Sequence, residues 1–216
     1  MLKRTEIVQT MTEAGQTFAL RRRGDTLEMV LGHVVLLSSA ALETERAFGR
    51  LIADLAPGAT RVLVGGLGFG ATVRGVLDVS GPKTEVLVAE KLEVVCDLAQ
   101  GEIAPLARDV LADPRVHLLR TDVGLAIARE RSLGAILLDV DNGPHWASFR
   151  TNAGLYSPAA LAQAREALVP GGAYAVWSGY RADAFRGKLR AAGFAPRVIP
   201  LHERGVVRAR AYVGVR

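Results

Sequence analysis

The stretch Arg61-Val-Leu-Val-Gly-Gly-Leu-Gly-Phe-Gly70 limits the possible folds of this chain more than any other, because an unbroken apolar run passes straight into glycines at 66, 68 and 70. A run that is apolar at successive rather than alternate positions reads as a strand covered on both faces, the situation of a parallel sheet flanked by helices. Glycines directly after it allow a tight strand-to-helix turn whose backbone can approach a ligand. About twenty residues on, Glu90 closes a second apolar run, where a carboxylate can accept hydrogen bonds from both hydroxyls of a ribose. Loop and carboxylate together read as a nucleoside site.

The loop alone fits two enzyme classes. Gly66-x-Gly68-x-x-Ala71 matches the dinucleotide fingerprint of nicotinamide-dependent oxidoreductases, and Gly66-x-Gly68-x-Gly70 matches the loop of S-adenosylmethionine enzymes. The flanking elements separate them. Three short strand-like runs at 17–23, 26–31 and 34–37, divided by Gly24-Asp25 and Gly32-His33, predict an antiparallel N-terminal sheet. Leu42, Ala47, Phe48, Leu51, Ile52 and Leu55 recur at helical spacing until Pro57-Gly58 ends the run. Strands then alternate with helices: strands at 61–65, 85–89, 116–119, 135–139 and 173–177, helices near 71–77, 92–100, 123–129, 158–168 and 183–192. Alternation of this kind implies right-handed crossovers and a parallel sheet. The last two runs, 197–201 and 206–215, are joined only by His202-Glu-Arg-Gly205, too short for a helical crossover, so they pair antiparallel. A reversed ending belongs to the S-adenosylmethionine-dependent transferase fold rather than to the dinucleotide fold. The expected architecture is α/β: a methyltransferase-like Rossmann sheet over 41–216 with an antiparallel C-terminal hairpin, preceded by a small N-terminal antiparallel β-sheet over 1–40.

Composition narrows the rest. A chain of 216 residues with half of them hydrophobic buries one full core and has no room for two independent enzyme domains. No apolar stretch has membrane-spanning length, and a cytoplasmic location is expected. The single Cys96 cannot form an intrachain disulfide and reads as a buried small residue. The net charge of +5 comes without a basic stripe interleaved with aromatics, which argues against nucleic-acid binding. Asn142-Gly-Pro-His-Trp146 is only loosely similar to the base-stacking loop of nucleic-acid amino methyltransferases. His33, His117, His145 and His202 lack ligand spacing, so no metal site is predicted. His117, set in an apolar strand, reads as a core residue, and Trp177 at the end of its strand reads first as a core residue and second as one bordering the pocket.

Four strand ends line up along one edge of such a sheet: Gly66 to Gly70, Glu90, Asp122 and Asp139. Ligands in open parallel sheets bind outside the carboxyl ends of the strands. Asp122 carries two readings, as the N-cap of the helix that follows and as an acceptor for an adenine amino group. Asp139, after the apolar Ala135-Ile-Leu-Leu138, would face a ligand's reactive centre, where it can orient an amine or accept its proton.

At this point the chain resembles the spermidine synthase family of aminopropyltransferases. The matching segments are Val62 to Leu77, Val88-Ala-Glu90, Thr121-Asp122, Asp139 to Pro144, Leu155-Tyr-Ser157 and Leu168-Val-Pro-Gly-Gly172, in order over most of the chain. The resemblance implies that Gly66, Leu67, Gly68, Gly70, Glu90, Lys91, Asp122, Val123 and Asp139 hold S-adenosylmethionine or its decarboxylated form. It implies that Asp139 is catalytic, that Asp141, Asn142 and Tyr156 face a small-molecule acceptor such as an amine, and that a homodimer forms through the N-terminal sheet. Three positions depart from the family. Phe69 stands where an Asp holds the donor's terminal amine, Asn142 replaces the second Asp of Asp-x-x-Asp, and the polyamine-gripping segment near 41–46 keeps at most Glu43 or Glu45. A diamine needs closely placed carboxylates to offset its lost hydration. The expectation is therefore transfer from an adenosyl sulfonium donor, methyl transfer ahead of spermidine synthesis, with aminopropyl transfer or a nucleoside-binding protein without catalysis as the alternatives.

Overall fold

The computed structural model describes residues 4–40, 42–103, 106, 110–140, 144 and 150–216, with the side chains of 150 and 151 left aside. Two sheets organise it. Strands β1 (Thr5–Glu13), β2 (Gln16–Arg23), β3 (Thr26–Leu31) and β4 (Val34–Ser38) form an antiparallel meander in sequence order. Strand β1 is one more than the sequence reading found. Its nine residues are mostly exposed and polar, so no apolar alternation announces it.

The main sheet has seven strands in the order β10-β11-β9-β8-β5-β6-β7. They are β5 (Arg61–Gly65), β6 (Glu85–Glu90), β7 (Val116–Arg120), β8 (Leu133–Leu138), β9 (Leu168–Ser178), β10 (Ala195–Glu203) and β11 (Val206–Val215). Strands β5 to β9 run parallel, and β11 lies antiparallel between β9 and β10. The chain steps outward from β5 to β6 and β7, then returns to lay β8 on the other side of β5. That reversal makes a crevice between the ends of β5 and β8.

Both faces are covered. Val62, Val64, Val86, Val88, Ala135 and Leu137 join one buried cluster with helices α1 (Glu43–Arg50), α2 (Ile52–Leu55), α3 (Ala71–Val79) and α4 (Glu93–Gln100), and with Phe18, Leu20 and Met29 of the N-terminal sheet. Their neighbours Leu63, Leu87, Ala89, Ile136 and Leu138 join a second cluster beneath α5 (Val123–Arg129), α6 (Pro158–Ala167) and α7 (Phe185–Ala191). Successive side chains of each strand therefore serve opposite cores, the reason these strands read as unbroken apolar runs. Cys96 is fully buried in α4, and burial, then the charge of Glu90, pushes its thiol up to about 12.

Two contacts position the crevice. Helices α1 and α3 meet through Gly49 and Gly75, where an added Cβ would stand 2.1 Å from the Thr72 carbonyl oxygen and 2.1 Å from that of Arg46. No larger residue fits there, so the backbone of α1 lies directly on α3. The turn between β1 and β2 begins at Glu13, whose carboxylate accepts the Glu93 and Val94 N–H groups at 3.2 and 3.0 Å and so caps the start of α4. This ties the N-terminal sheet to the main domain beside Glu90.

Candidate active site

A cavity of about 620 Å³ opens over the carboxyl ends of β5, β6 and β8. Gly66, Leu67, Gly68 and Phe69 form its floor, Ala89 to Leu92 and Val95 one wall, and Asp122 with Val123 another. Met29 and Val35 to Ser38 of the N-terminal sheet roof it, and Glu203, Arg204, Val206 and Arg208 of the C-terminal hairpin rim it.

The side formed by the glycine loop, Glu90 and Asp122 is held by backbone. Gly66, with φ +91, brings β5 so close to β8 that an added Cβ would lie 2.2 Å from the Asp139 carbonyl oxygen. The Asp139 N–H in turn donates to the Gly65 carbonyl at 2.8 Å, and the Gly66 N–H to that of Ala89 at 2.9 Å. Glu90 is buried, and its two oxygens accept the Leu67 N–H at 3.1 Å and the Leu92 N–H at 2.9 Å. Burial raises its pKa, while the N–H groups of Leu92, Leu67 and Lys91 oppose the rise. With three N–H groups on its two oxygens, the carboxylate keeps capacity to accept from a further hydroxyl. Asp122 is the N-cap of α5, one oxygen accepting the Gly124 N–H at 2.8 Å, and the residue also lines the cavity. Lys91 donates to Asn152 at 2.6 Å, joining this wall to the 3₁₀ turn Arg150–Tyr156.

The other side is held by charge. The Thr72 hydroxyl donates to Asp139 at 2.6 Å and lies 3.2 Å from the Glu45 carbonyl oxygen, so the tight α1–α3 contact brings Glu45 over Asp139. Burial pushes Asp139 up to about 6, against the lowering effect of Thr72. Glu45 is raised well above the usual carboxylate range, first by burial, then by the charges of Asp139 and Glu203. Neither Glu45 nor Glu203 has a side-chain cation partner among the described residues. Three carboxylates thus share one end of the cavity.

Of the residues expected at the site, Gly66, Leu67, Gly68, Glu90, Lys91, Asp122, Val123 and Asp139 line the cavity. Gly70 stands one step back as the left-handed N-cap of α3. Asp141 and Asn142 lie outside the described residues. Tyr156 is not on the cavity: it is 2% exposed in the second core cluster, its ring edge-on to Phe185 at 5.6 Å, because the turn carrying it enters the face covered by α6 and α7. Two further readings change. His117 is exposed, since β7 is the outermost parallel strand, and Trp177 is half-buried on the cavity wall rather than enclosed in the core. Glu203, Arg204 and Arg208 were not anticipated; they belong to a segment that reads locally only as a turn.

No protein-family model matches the sequence. No curated protein matches it either. Solved structures do. A spermidine synthase in complex with the transition state analogue AdoDATO is 15% identical, with a TM-score of 0.75 over 97% of this chain and 71% of that one. A spermidine synthase from Thermotoga maritima is 16% identical, with a TM-score of 0.76 over 97% and 72%. A probable spermidine synthase from Corynebacterium glutamicum is 15% identical, with a TM-score of 0.63 over 97% and 80%. The fold is therefore spermidine-synthase-like, of the S-adenosylmethionine-dependent methyltransferase type.

Proposed function

We propose, proceeding from that fold, that the protein is an aminopropyltransferase that moves the propylamine arm of decarboxylated S-adenosylmethionine onto the amine of a small acceptor. The observation that carries this is the carboxylate cluster of Glu45, Asp139 and Glu203 at one end of the cavity. Like charges buried together are costly, and a cation placed among them relieves the cost. Both an aminopropyl arm and an amine acceptor bring such a cation. Ordinary S-adenosylmethionine would instead carry a further carboxylate toward the same end. The expectation that methyl transfer comes first rested on Phe69, on Asn142 and on a segment near 41–46 that keeps at most Glu43 or Glu45. Glu203 supplies negative charge that it did not count. Phe69 itself is buried and part of the cavity floor, where it excludes water from the sulfonium side.

Glu90 and Asp122 would hold the ribose and adenine, with the glycine loop beneath the donor. The sulfonium supplies an already activated leaving group, so the protein's part is alignment. Asp139, held by Thr72, orients the acceptor nitrogen and takes its proton. The nitrogen lone pair then forms the new bond to the propylamine methylene attached to sulfur, the bond from that carbon to sulfur breaks, and its electron pair stays on sulfur as the neutral thioether methylthioadenosine. A carboxyl pKa near 6 suits a group that must be ionised at neutral pH yet still accept a proton.

Product analysis by mass spectrometry tests the proposal. Incubation with either donor and a mixture of amines is expected to release methylthioadenosine from decarboxylated S-adenosylmethionine. S-adenosylhomocysteine appearing from S-adenosylmethionine would assign methyl transfer. Neither product, with methylthioadenosine still bound, would assign a nucleoside-binding protein without catalysis.

A further inference from the structure

The rim of the cavity carries charge of the opposite sign to its interior. Strands β10 and β11 are joined by the two-residue turn Arg204-Gly205, with φ of +49 and +78. The turn is pinned from below, where the Arg204 backbone N–H donates to the Glu43 carboxylate at 3.2 Å. Arg204 and Arg208 line the cavity, are exposed, and have no carboxylate partner among the described residues. Several other arginines are spent on carboxylates of the chain, as Arg46 and Arg50 are on Asp78, Arg61 on Glu85 and Glu130, and Arg115 on Asp113; Arg204 and Arg208 are the arginines that line the cavity. Lys91, also on the wall, donates to Asn152 on the nucleoside side.

These two arginines adjoin the acceptor end, because Glu203, next to Arg204, is one of the charges acting on Glu45. Moving outward from Asp139, a bound molecule meets carboxylates first and guanidiniums second. A guanidinium presents a planar fork of donors matched to a carboxylate or phosphate. A plain diamine would put its far ammonium against two cations.

We propose that the acceptor is dipolar, with a primary amine at the Asp139 end and an anionic group, carboxylate or phosphate monoester, at the other, and that Arg204 and Arg208 select it. This rests on the transferase reading above and deepens it.

Calorimetric titration in saturating 5′-methylthioadenosine tests it with three compounds of similar length: 4-aminobutanoate, 3-aminopropyl phosphate and 1,4-diaminobutane. At least one aminoanion is expected to bind about 10-fold tighter than the diamine, and which one does so separates carboxylate from phosphate. The variant Arg204→Asn/Arg208→Gln should lose that preference, with the aminoanion about 10-fold weaker and the diamine unchanged or tighter. Asn tolerates the left-handed turn position, and both side chains are exposed, so the fold is kept. Arg208→Lys should restore part of the preference when paired with Arg204→Asn. A diamine that binds wild type as tightly as both aminoanions overturns the inference, as does a double variant that binds the aminoanions unchanged. Loss of S-adenosylmethionine affinity in place of acceptor affinity also overturns it, assigning the arginines to a donor carboxylate. Failure of methylthioadenosine itself to bind sinks the transferase reading beneath it, which keeps the two failures apart.

Discussion

The two ends of the cavity are built on opposite principles. At the nucleoside end every acid is anchored to the chain: Glu90 spans the N–H groups of Leu67 and Leu92, and Asp122 caps its own helix through Gly124. At the acceptor end Glu45, Asp139 and Glu203 face one another, with Thr72 the one side-chain donor to any of them among the described residues. The first end is preorganised by bonds that also stabilise the fold. The second stores electrostatic repulsion that a bound cation would release. Recognition of the invariant part of a donor can be made from backbone, whereas recognition of a variable acceptor falls to side chains that the fold would do better without.

The largest expected effect tests the acceptor end. Asp139→Asn should lower transfer by ~10²–10⁴-fold while leaving donor affinity within a few-fold, since Asn keeps an acceptor for Thr72. The pH dependence sharpens the same point. In the folded protein Asp139 keeps its proton up to about pH 6, above an ordinary aspartate near 3.9. Between those values the folded state binds more protons than the unfolded, so stability falls as pH rises while activity climbs. A kcat/KM profile that rises through pH 6 in wild type and is flat in Asp139→Asn would sustain the assignment; identical profiles would remove it.

Gly66→Ala should break both ends at once. It places a Cβ 2.2 Å from a backbone oxygen at a φ of +91, and urea unfolding should show a loss of roughly 3 kcal/mol. Next comes Glu90→Ala, expected to weaken methylthioadenosine by roughly 1.5–3 kcal/mol in calorimetry. The change also costs the fold, because the Leu67 and Leu92 N–H groups lose their acceptor. About 2 kcal/mol of stability should go with the affinity. The smallest effect has the opposite sign. Glu45→Gln removes a carboxylate that lies against Asp139 and Glu203, and thermal melts should show a gain of about 1 kcal/mol together with a higher acceptor KM. A destabilised Glu45→Gln would erase the contrast between the two ends.

What could be read in advance follows the same division. The glycine loop, Glu90, Asp122 and Asp139 each end a strand whose apolar run is a local signal, and the reversed ending followed from a four-residue connection. Glu203, Arg204 and Arg208 gave no such signal. They reach the cavity only because β11 returns beside β9, carrying the hairpin tip past the end of the sheet, a relation between residues far apart in sequence. His117 was misplaced for a related reason: an apolar strand does not disclose whether it lies inside the sheet or at its margin. Tyr156 was placed by the family resemblance, and the 3₁₀ turn sends its ring into the opposite core. Strand β1 was missed because its stability comes from pairing with β2 rather than from apolar periodicity.

The Glu13 clamp on α4 has a consequence for the order in which the molecule is made. It joins residues 80 and 81 positions apart, and the roof it secures is translated before the room it covers. Until α4 leaves the ribosome, the core that Phe18, Leu20 and Met29 enter lacks Val94, Val95, Leu98 and Ala99. At ~5–20 residues per second the nascent meander waits several seconds with that core incomplete. Contacts of such long range close late, because their loop entropy is lost before they return any stability. The acceptor end of the cavity would then be assembled later still, when β10 and β11, the last strands of the chain, bring Glu203 to Glu45.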